Sequence, residues 1–308
     1  MLGSTQLKTP RTARLFARSL EQSAMLAWSK RGEQRSIGAA PVVNLHSVRQ
    51  AAYPLSVEPL KLLTFNIQVG IETRKYSHYF TKGWKHVLPH QARNVNLRRI
   101  ADLVADYDVV ALQEIDSGSL RSGFINQVEY IADRARFPYW YTQLNRDLGP
   151  FAQHGNGMLS RIAPVDVEDH KLPGAIPGRG AILLRVPYGD QTVSLVLLHL
   201  SLGERSRQLQ LEYVRELISE EDHAIVMGDM NSHLAHLLGS SPLRETNLVP
   251  ADQVHPTYPA WRPELALDHV LVTPGLVIQD YDVLDCRFSD HRPIAVTVTL
   301  DDYAPQRQ

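Results

Sequence analysis

One cysteine, Cys286, is all the chain contains in 308 residues. That excludes an internal disulfide framework and fits a reducing, cytoplasmic setting. Cys286 follows an apparent strand, and nothing around it marks it as an activated nucleophile. No apolar run reaches the roughly 18 residues that a membrane-spanning helix needs. An excess of charge is missing as well. A formal net charge of −1 offers no broad field for gripping long nucleic acid, and leaves room only for a local basic strip. What is present is material for a core. With 44% hydrophobic and 21% charged residues the composition is that of a globular protein, and a large α/β or all-β fold reaches about 250 residues as one unit.

Acidic residues are scarce in the first fifty-odd positions, where Lys8, Arg11, Arg14, Arg18, Lys30, Arg31, Arg35 and Arg49 face only Glu21 and Glu33. Residues 1–57 are expected to form a basic extension that closes in a proline-bounded linker at Pro54–Pro59. Within it, residues 11–30 place Leu15, Phe16, Leu20, Met25, Leu26 and Trp28 at amphipathic helical spacing. A continuous apolar segment and a cleavage site are lacking, so a secretory signal fits poorly. Three readings stay open: an extension packed on the domain, a helix that brings the chain to a membrane surface or a partner, and an organelle transit segment. Residues 58–302 are expected to form the folded body and 303–308 a short tail.

The body repeats one build, an apolar strand with a polar tip. Residues 60–66 end in Asn66, 108–114 end in Glu114, and 192–200 carry His199 near their end. Residues 225–231 (IVMGDMN) are expected to turn at Gly228 and to deliver Asp229 and Asn231 two positions apart. Such a tip is also an ordinary Asx turn, and a histidine in an apolar run is commonly a core residue. Asp268 opens a strand at 267–272, and Asp290 and His291 stand before Pro293, which keeps His291–Arg292 extended. Asn156 lies between Gly155 and Gly157, and Arg179 between Gly178 and Gly180, where backbone can approach a ligand and a guanidinium can fork onto phosphate, against the equal alternative of an exposed turn arginine. His233 and His236 share a helical face without further ligands and read as surface residues. The segment from Gly70 to His90 is long, aromatic and basic. Tyr79, Trp84 and Lys82 within it are candidates to stack on and neutralise a substrate, against the alternative of a structural flap.

In order, N…QE…GN-x-x-LSR…H-x-S…GD-x-N…LDH…SDH-x-P resembles the endonuclease/exonuclease/phosphatase superfamily with its deoxyribonuclease-I-like fold, over about residues 60–300. The resemblance implies a four-layer αββα sandwich, two mixed β-sheets face to face with helices outside, and makes 58–302 the catalytic domain. It assigns Glu114 as the principal Mg²⁺ or Mn²⁺ ligand with Asn66 beside it, and Asp290 as a support for the metal or for His291. Asp229 would orient or deprotonate the attacking water and Asn231 would hold a phosphate oxygen. His291 would pair with Asp268, and His199 would donate to a non-bridging oxygen. The implied reaction is in-line attack of water on phosphorus. A small or lipid-linked phosphoester is the favoured substrate, with DNA or RNA as the alternative and a non-catalytic binding scaffold as the second. The expected protein is a cytoplasmic monomer, with peripheral membrane contact through its extension left open.

Overall fold

The computed structural model describes residues 58–70, 91–175, 177–253 and 255–301, all within the unit Ala52–Gln308. The basic extension with its expected helix, the stretch holding Tyr79, Lys82 and Trp84, and the tail lie outside those residues.

Strand β1 (Leu60–Asn66) is apolar on both faces because it is covered on both. Leu60 and Leu62 enter one core, and Leu63 and Phe65 enter another. It lies at the centre of a sheet whose spatial order is β11 (Leu276–Val283), β12 (Ile294–Leu300), β1, β2 (Val109–Asp116), β4 (Gln153–Ser160) and β3 (Tyr139–Asp147). The second sheet runs β5 (Asp166–Lys171), β6 (Gly180–Tyr188), β7 (Gln191–His199), β8 (Ala224–Asp229), β10 (Asp268–Val272) and β9 (Val249–Pro250). Both sheets are mixed, since β1 runs parallel to β2 and β7 parallel to β8 while their other pairings are antiparallel.

The sheets pack face to face through Leu62, Ala111 and Met158 on one side and Leu195, Leu197, Ile225 and Met227 on the other. Helices α1 (Gln91–Val104) and α2 (Gln127–Ala135) cover the outer face of the first sheet with Leu97, Ile100, Val128 and Ile131. Helices α3 (Glu204–Leu217) and α4 (Leu234–Gly239) cover the second with Leu211, Val214 and Leu237. The result is the expected four-layer αββα sandwich. Among the described residues no helix is long and apolar enough to cross a membrane.

Gly228 does not make the turn expected of it. It is paired inside the sheet, opposite Leu198 on β7 and His269 on β10. Its φ is +143°, and a Cβ there would stand 2.0 Å from the Leu198 carbonyl oxygen. Glycine is needed because neighbouring backbone approaches, and the turn begins one residue later. Gly228→Ala is expected to cost about 3 kcal/mol or more by combining a backbone clash with a disfavoured φ. A urea or thermal unfolding curve checks this, and wild-type stability would show that the approach is not tight.

Candidate active site

Parallel pairing brings like ends together. Asn66 and Glu114 leave the ends of β1 and β2, His199 and Asp229 leave the ends of β7 and β8, and all four meet along one edge of the sandwich. Antiparallel β10 enters at that edge, so its first residue, Asp268, is the register partner of Asp229. The edge is shaped by departures from regular strand. The β2–β4 register shifts between Leu112 and Ile115, and within that bulge Glu114 takes φ 54°. A bulge of this kind re-aims one side chain out of the alternation, here the carboxylate. Asn231 is also left-handed, at φ 47°, and its backbone N–H donates to Asp229 Oδ1 at 3.0 Å. The Asx turn is therefore real, and it also delivers the site.

Asp229 sits at the centre. Asn66 Nδ2 donates to its Oδ2 at 3.1 Å, His199 Nε2 lies 3.4 Å from that oxygen, and His291 Nε2 lies 3.9 Å away. Burial pushes its carboxyl up to about 7, with nearby Asp268 adding to the rise against the opposing pull of His291. His291 moves the opposite way. Burial alone would discharge the ring, but Asp268, Asp229 and Asp290 together hold it well above the ordinary histidine value. Its Nδ1 donates to Asp268 Oδ2 at 2.8 Å, and the same oxygen accepts from Thr257 Oγ1 at 2.6 Å. That pairing fixes the ring and leaves Nε2 facing Asp229.

Arg179 reaches the cluster as its glycine-flanked position suggested, with Nη1 2.6 Å from His199 Nε2. Since a guanidinium can only donate, Nε2 of His199 is the acceptor and the ring is neutral. Burial, then Arg179 and His291, hold its pKa well below the ordinary value. The expected donation from His199 to a phosphate oxygen is therefore not available through Nε2 while Arg179 holds that atom. In this arrangement Arg179 carries the donors and His199 holds Arg179.

Asn156 also differs from expectation. It is fully buried, and its amide donates to Gln143 Oε1 at 3.1 Å and to the Gly180 carbonyl at 3.0 Å. It ties β4 to the start of β6, next to Arg179, and is a bracket rather than a ligand contact. Asn231 Nδ2 donates to the Leu200 carbonyl at 3.0 Å, which ties the turn back to the end of β7. Asn66 presents its N–H groups to the acids, because its Oδ1 accepts from the Gln68 N–H at 3.1 Å.

The donor chemistry of this edge suits a hard divalent cation. Glu114 keeps 36% of its side-chain surface open. Even so, burial raises its pKa first and the like charge of Asp290 raises it further. Carboxylates that feel one another's charge offer oxygen donors whose mutual repulsion a cation would relieve. Asp229, Asp268 and His291 also bring donor atoms within 4.8 Å of one another. There the facing atoms of Asp268 and His291 are spent on each other and on Thr257, so Glu114 with Asp290 is the better-suited pair.

Thr257 and Tyr258 had no place in the sequence reading. Thr257 buttresses Asp268, and the Tyr258 ring packs against His291 with centroids 4.9 Å apart. Their one sequence signal is a Thr-Tyr pair bracketed by Pro256 and Pro259, a stiff polar stretch between apolar ones. Cys286 agrees with its expected inertness, since burial pushes its thiol up to about 11.

A four-layer sandwich with its polar cluster at the strand ends of one edge is a DNase I-like α/β fold. Residues 63–291 match the sequence profile described as the Endonuclease/Exonuclease/phosphatase family, and the chain belongs to that family. Its members are phosphoester hydrolases, typically dependent on divalent metal.

Several solved structures are similar. An endonuclease/exonuclease/phosphatase from Beutenbergia cavernae has TM-score 0.62 at 21% identity, covering 79% of this chain and 72% of that one. A mannosyl-6-phosphatase from Bacteroides thetaiotaomicron has TM-score 0.57 at 17% identity, covering 78% of this chain and 100% of that one. D. rerio TDP2 complexed with a single-strand DNA product has TM-score 0.57 at 18% identity, covering 78% and 99%. A search of curated protein sequences finds no match.

Proposed function

We propose that this protein hydrolyses a small phosphate ester by in-line attack of water, with Mg²⁺ or Mn²⁺ held by Glu114 and Asp290 and with Asn66 beside them. The carrying observation is the pairing of opposites at one edge: the buried Asp229 carboxyl, raised by burial and held by Asn66 at 3.1 Å, lies 3.9 Å from Nε2 of an imidazole locked by Asp268. A carboxylate basic enough to take a proton, with a cationic ring fixed opposite it, is what attack on an anionic phosphorus centre requires.

Asp229 takes the proton of the attacking water, with its orientation set by Asn66 and Asn231. His291 and Arg179 offset the charge that grows on the non-bridging oxygens. Thr257 and Asp268 keep the imidazolium from rotating away. When bound, the cation supplies Lewis-acid polarisation of a phosphoryl oxygen.

The fold itself is compatible with either class of substrate, since one similar structure is a mannosyl-6-phosphatase by its name and another is complexed with a single-strand DNA product. The net charge of −1 favours the small ester. The test is a panel of a chromogenic phosphodiester, sugar and inositol phosphates, phospholipid, single-stranded DNA, RNA and plasmid, each with Mg²⁺ or Mn²⁺ and with EDTA. Turnover of a small ester that EDTA abolishes is the expected result. Preference for nucleic acid, with log affinity falling steeply against log salt, would replace it with the nuclease reading. Absence of any hydrolysis would leave a binding scaffold.

A further inference from the structure

Beyond the catalytic edge, β2 continues past Glu114 into a second cluster of charge. Asp116 accepts from Gly118 N at 2.9 Å, Ser119 N at 2.7 Å, Ser119 Oγ at 2.7 Å and Ser122 Oγ at 2.9 Å. It also takes a short bond from Arg121 Nε. Arg121 is held in the interior at 4% exposure. Its Nη1 donates to His154 Nε2 at 3.1 Å, and its Nη2 is buried with no hydrogen-bond partner among the described residues. A guanidinium is costly to bury with a donor unmet, and such a donor marks a place where an acceptor belongs. His154 accepts from Arg121 through Nε2, so its own proton sits on Nδ1 as a further donor.

On the adjoining strand, Arg146 is the register partner of His154. The Arg146 side chain is exposed and without an ion pair among the described residues, and its stem lies against Gly178, where a Cβ would meet Arg146 Cβ at 3.1 Å. Gly178 directly precedes Arg179. The cations therefore form a row leading from the candidate active site to Arg121. The row also acts on His154. Burial, then Arg121, with Arg146 and Arg179 adding, depress that ring to about 4, the mark of a positive field that Asp116 only partly answers.

We propose that Arg121, His154 and Arg146 form a second anion subsite, which takes a phosphate monoester carried by the same substrate whose other phosphoester is cleaved beside Arg179. The inference rests on the phosphoesterase reading for its substrate and on this cluster alone for its anion. A tetrahedral phosphate suits the site better than a carboxylate. Its several oxygens can accept from donors that converge from three elements, and its negative charge meets guanidinium groups that Asp116 only partly answers. The substrate is then a small bisphosphorylated molecule, in which the second phosphate sets position and affinity.

The test uses two nucleosides, each with a 4-nitrophenyl phosphodiester on one hydroxyl, one bearing a free phosphate on the other hydroxyl and one not. The second phosphate is expected to raise kcat/KM by about tenfold or more, mainly through KM, on the scale of one or two charge-assisted hydrogen bonds. Arg146→Glu and His154→Gln are expected to bring the ratio between the two substrates close to one. Arg146 is the safer substitution, because it is exposed and holds up no buried carboxylate. Equal kcat/KM for the two substrates, or a ratio that survives both variants, overturns the proposal.

A second measurement separates this from failure of the hydrolytic reading. With EDTA present, inorganic phosphate is titrated while the ring nitrogens of His154 are followed by NMR. A saturable shift that Arg146→Glu removes supports the subsite whether or not either ester is cleaved. Movement confined to His199 and His291 rejects it.

Discussion

Glu114→Gln is expected to lower kcat/KM by about two to three orders of magnitude, the scale seen when a preorganised electrostatic group is lost. The same change is expected to leave the fold intact and to raise its melting temperature. The sign follows from the environment. Burial and the adjacent Asp290 lift the Glu114 pKa above its ordinary value, so at neutral pH the folded state bears a charge that the unfolded state carries more easily. Glutamine keeps the shape and removes the charge, which relieves the repulsion while discarding the oxygen anion that would hold the cation. Loss of activity combined with gain of stability is the signature of a functional carboxylate and not of a structural one. Thermal melts in EDTA, with kinetics across a Mg²⁺ or Mn²⁺ titration, read both halves. Wild-type kcat/KM in this variant, or wild-type turnover that persists in EDTA, would end the metal-hydrolase reading.

Asp229→Asn and His291→Ala should each remove at least about two orders of magnitude from turnover. The two together should remove far less than the product. Both groups serve one transition state: Asp229 Oδ2 lies 3.1 Å from Asn66 Nδ2 and 3.9 Å from His291 Nε2. Once the base is gone, the oriented imidazolium has little left to assist. Thr257→Val adds a control, because it removes the hydroxyl that buttresses Asp268 without touching either partner. It should cost less than either single variant, in keeping with a positioning role. Full multiplicativity of the Asp229 and His291 effects would mean that the two act in separate steps, and the single-edge mechanism would have to be abandoned.

Much of the architecture was legible because it rests on local patterning. The strand at 60–66 coincides with its expected limits, and those at 192–200 and 225–231 differ from the observed ones by a residue or two. Each is predominantly apolar on both faces before its polar tip, as burial on both sides demands. Strand β5 carried no such signal. Its Asp166, Glu168 and Asp169 lie at the sheet edge, where Asp166 and Glu168 pair with Arg185 of β6, so charge replaces the alternation that marks a strand. The candidate site was legible as an ordered series of polar tips, since Asp229 ends a strand, Asp268 begins one, and Asn231 and His291 lie in the turns just outside strand ends.

What the residue order could not carry is which atoms of those tips face one another. Orientation placed Nε2 of His199 against Arg179, 20 residues earlier, which donates to it. It also turned Asn156 inward, where bracing two sheets leaves no amide hydrogen for a ligand. The cluster of Asp116, Arg121 and His154 had no linear signature, since Arg121 and His154 are 33 residues apart and meet only because β4 pairs with β2. By itself the sequence determined the layers and the inventory of groups at one edge, because periodicity and strand ends are properties of neighbours along the chain. Strand register and the packing of two sheets decided the hydrogen-bond direction, the protonation and the charge around each group. Those depend on distances between residues that the chain holds far apart and only the fold brings together.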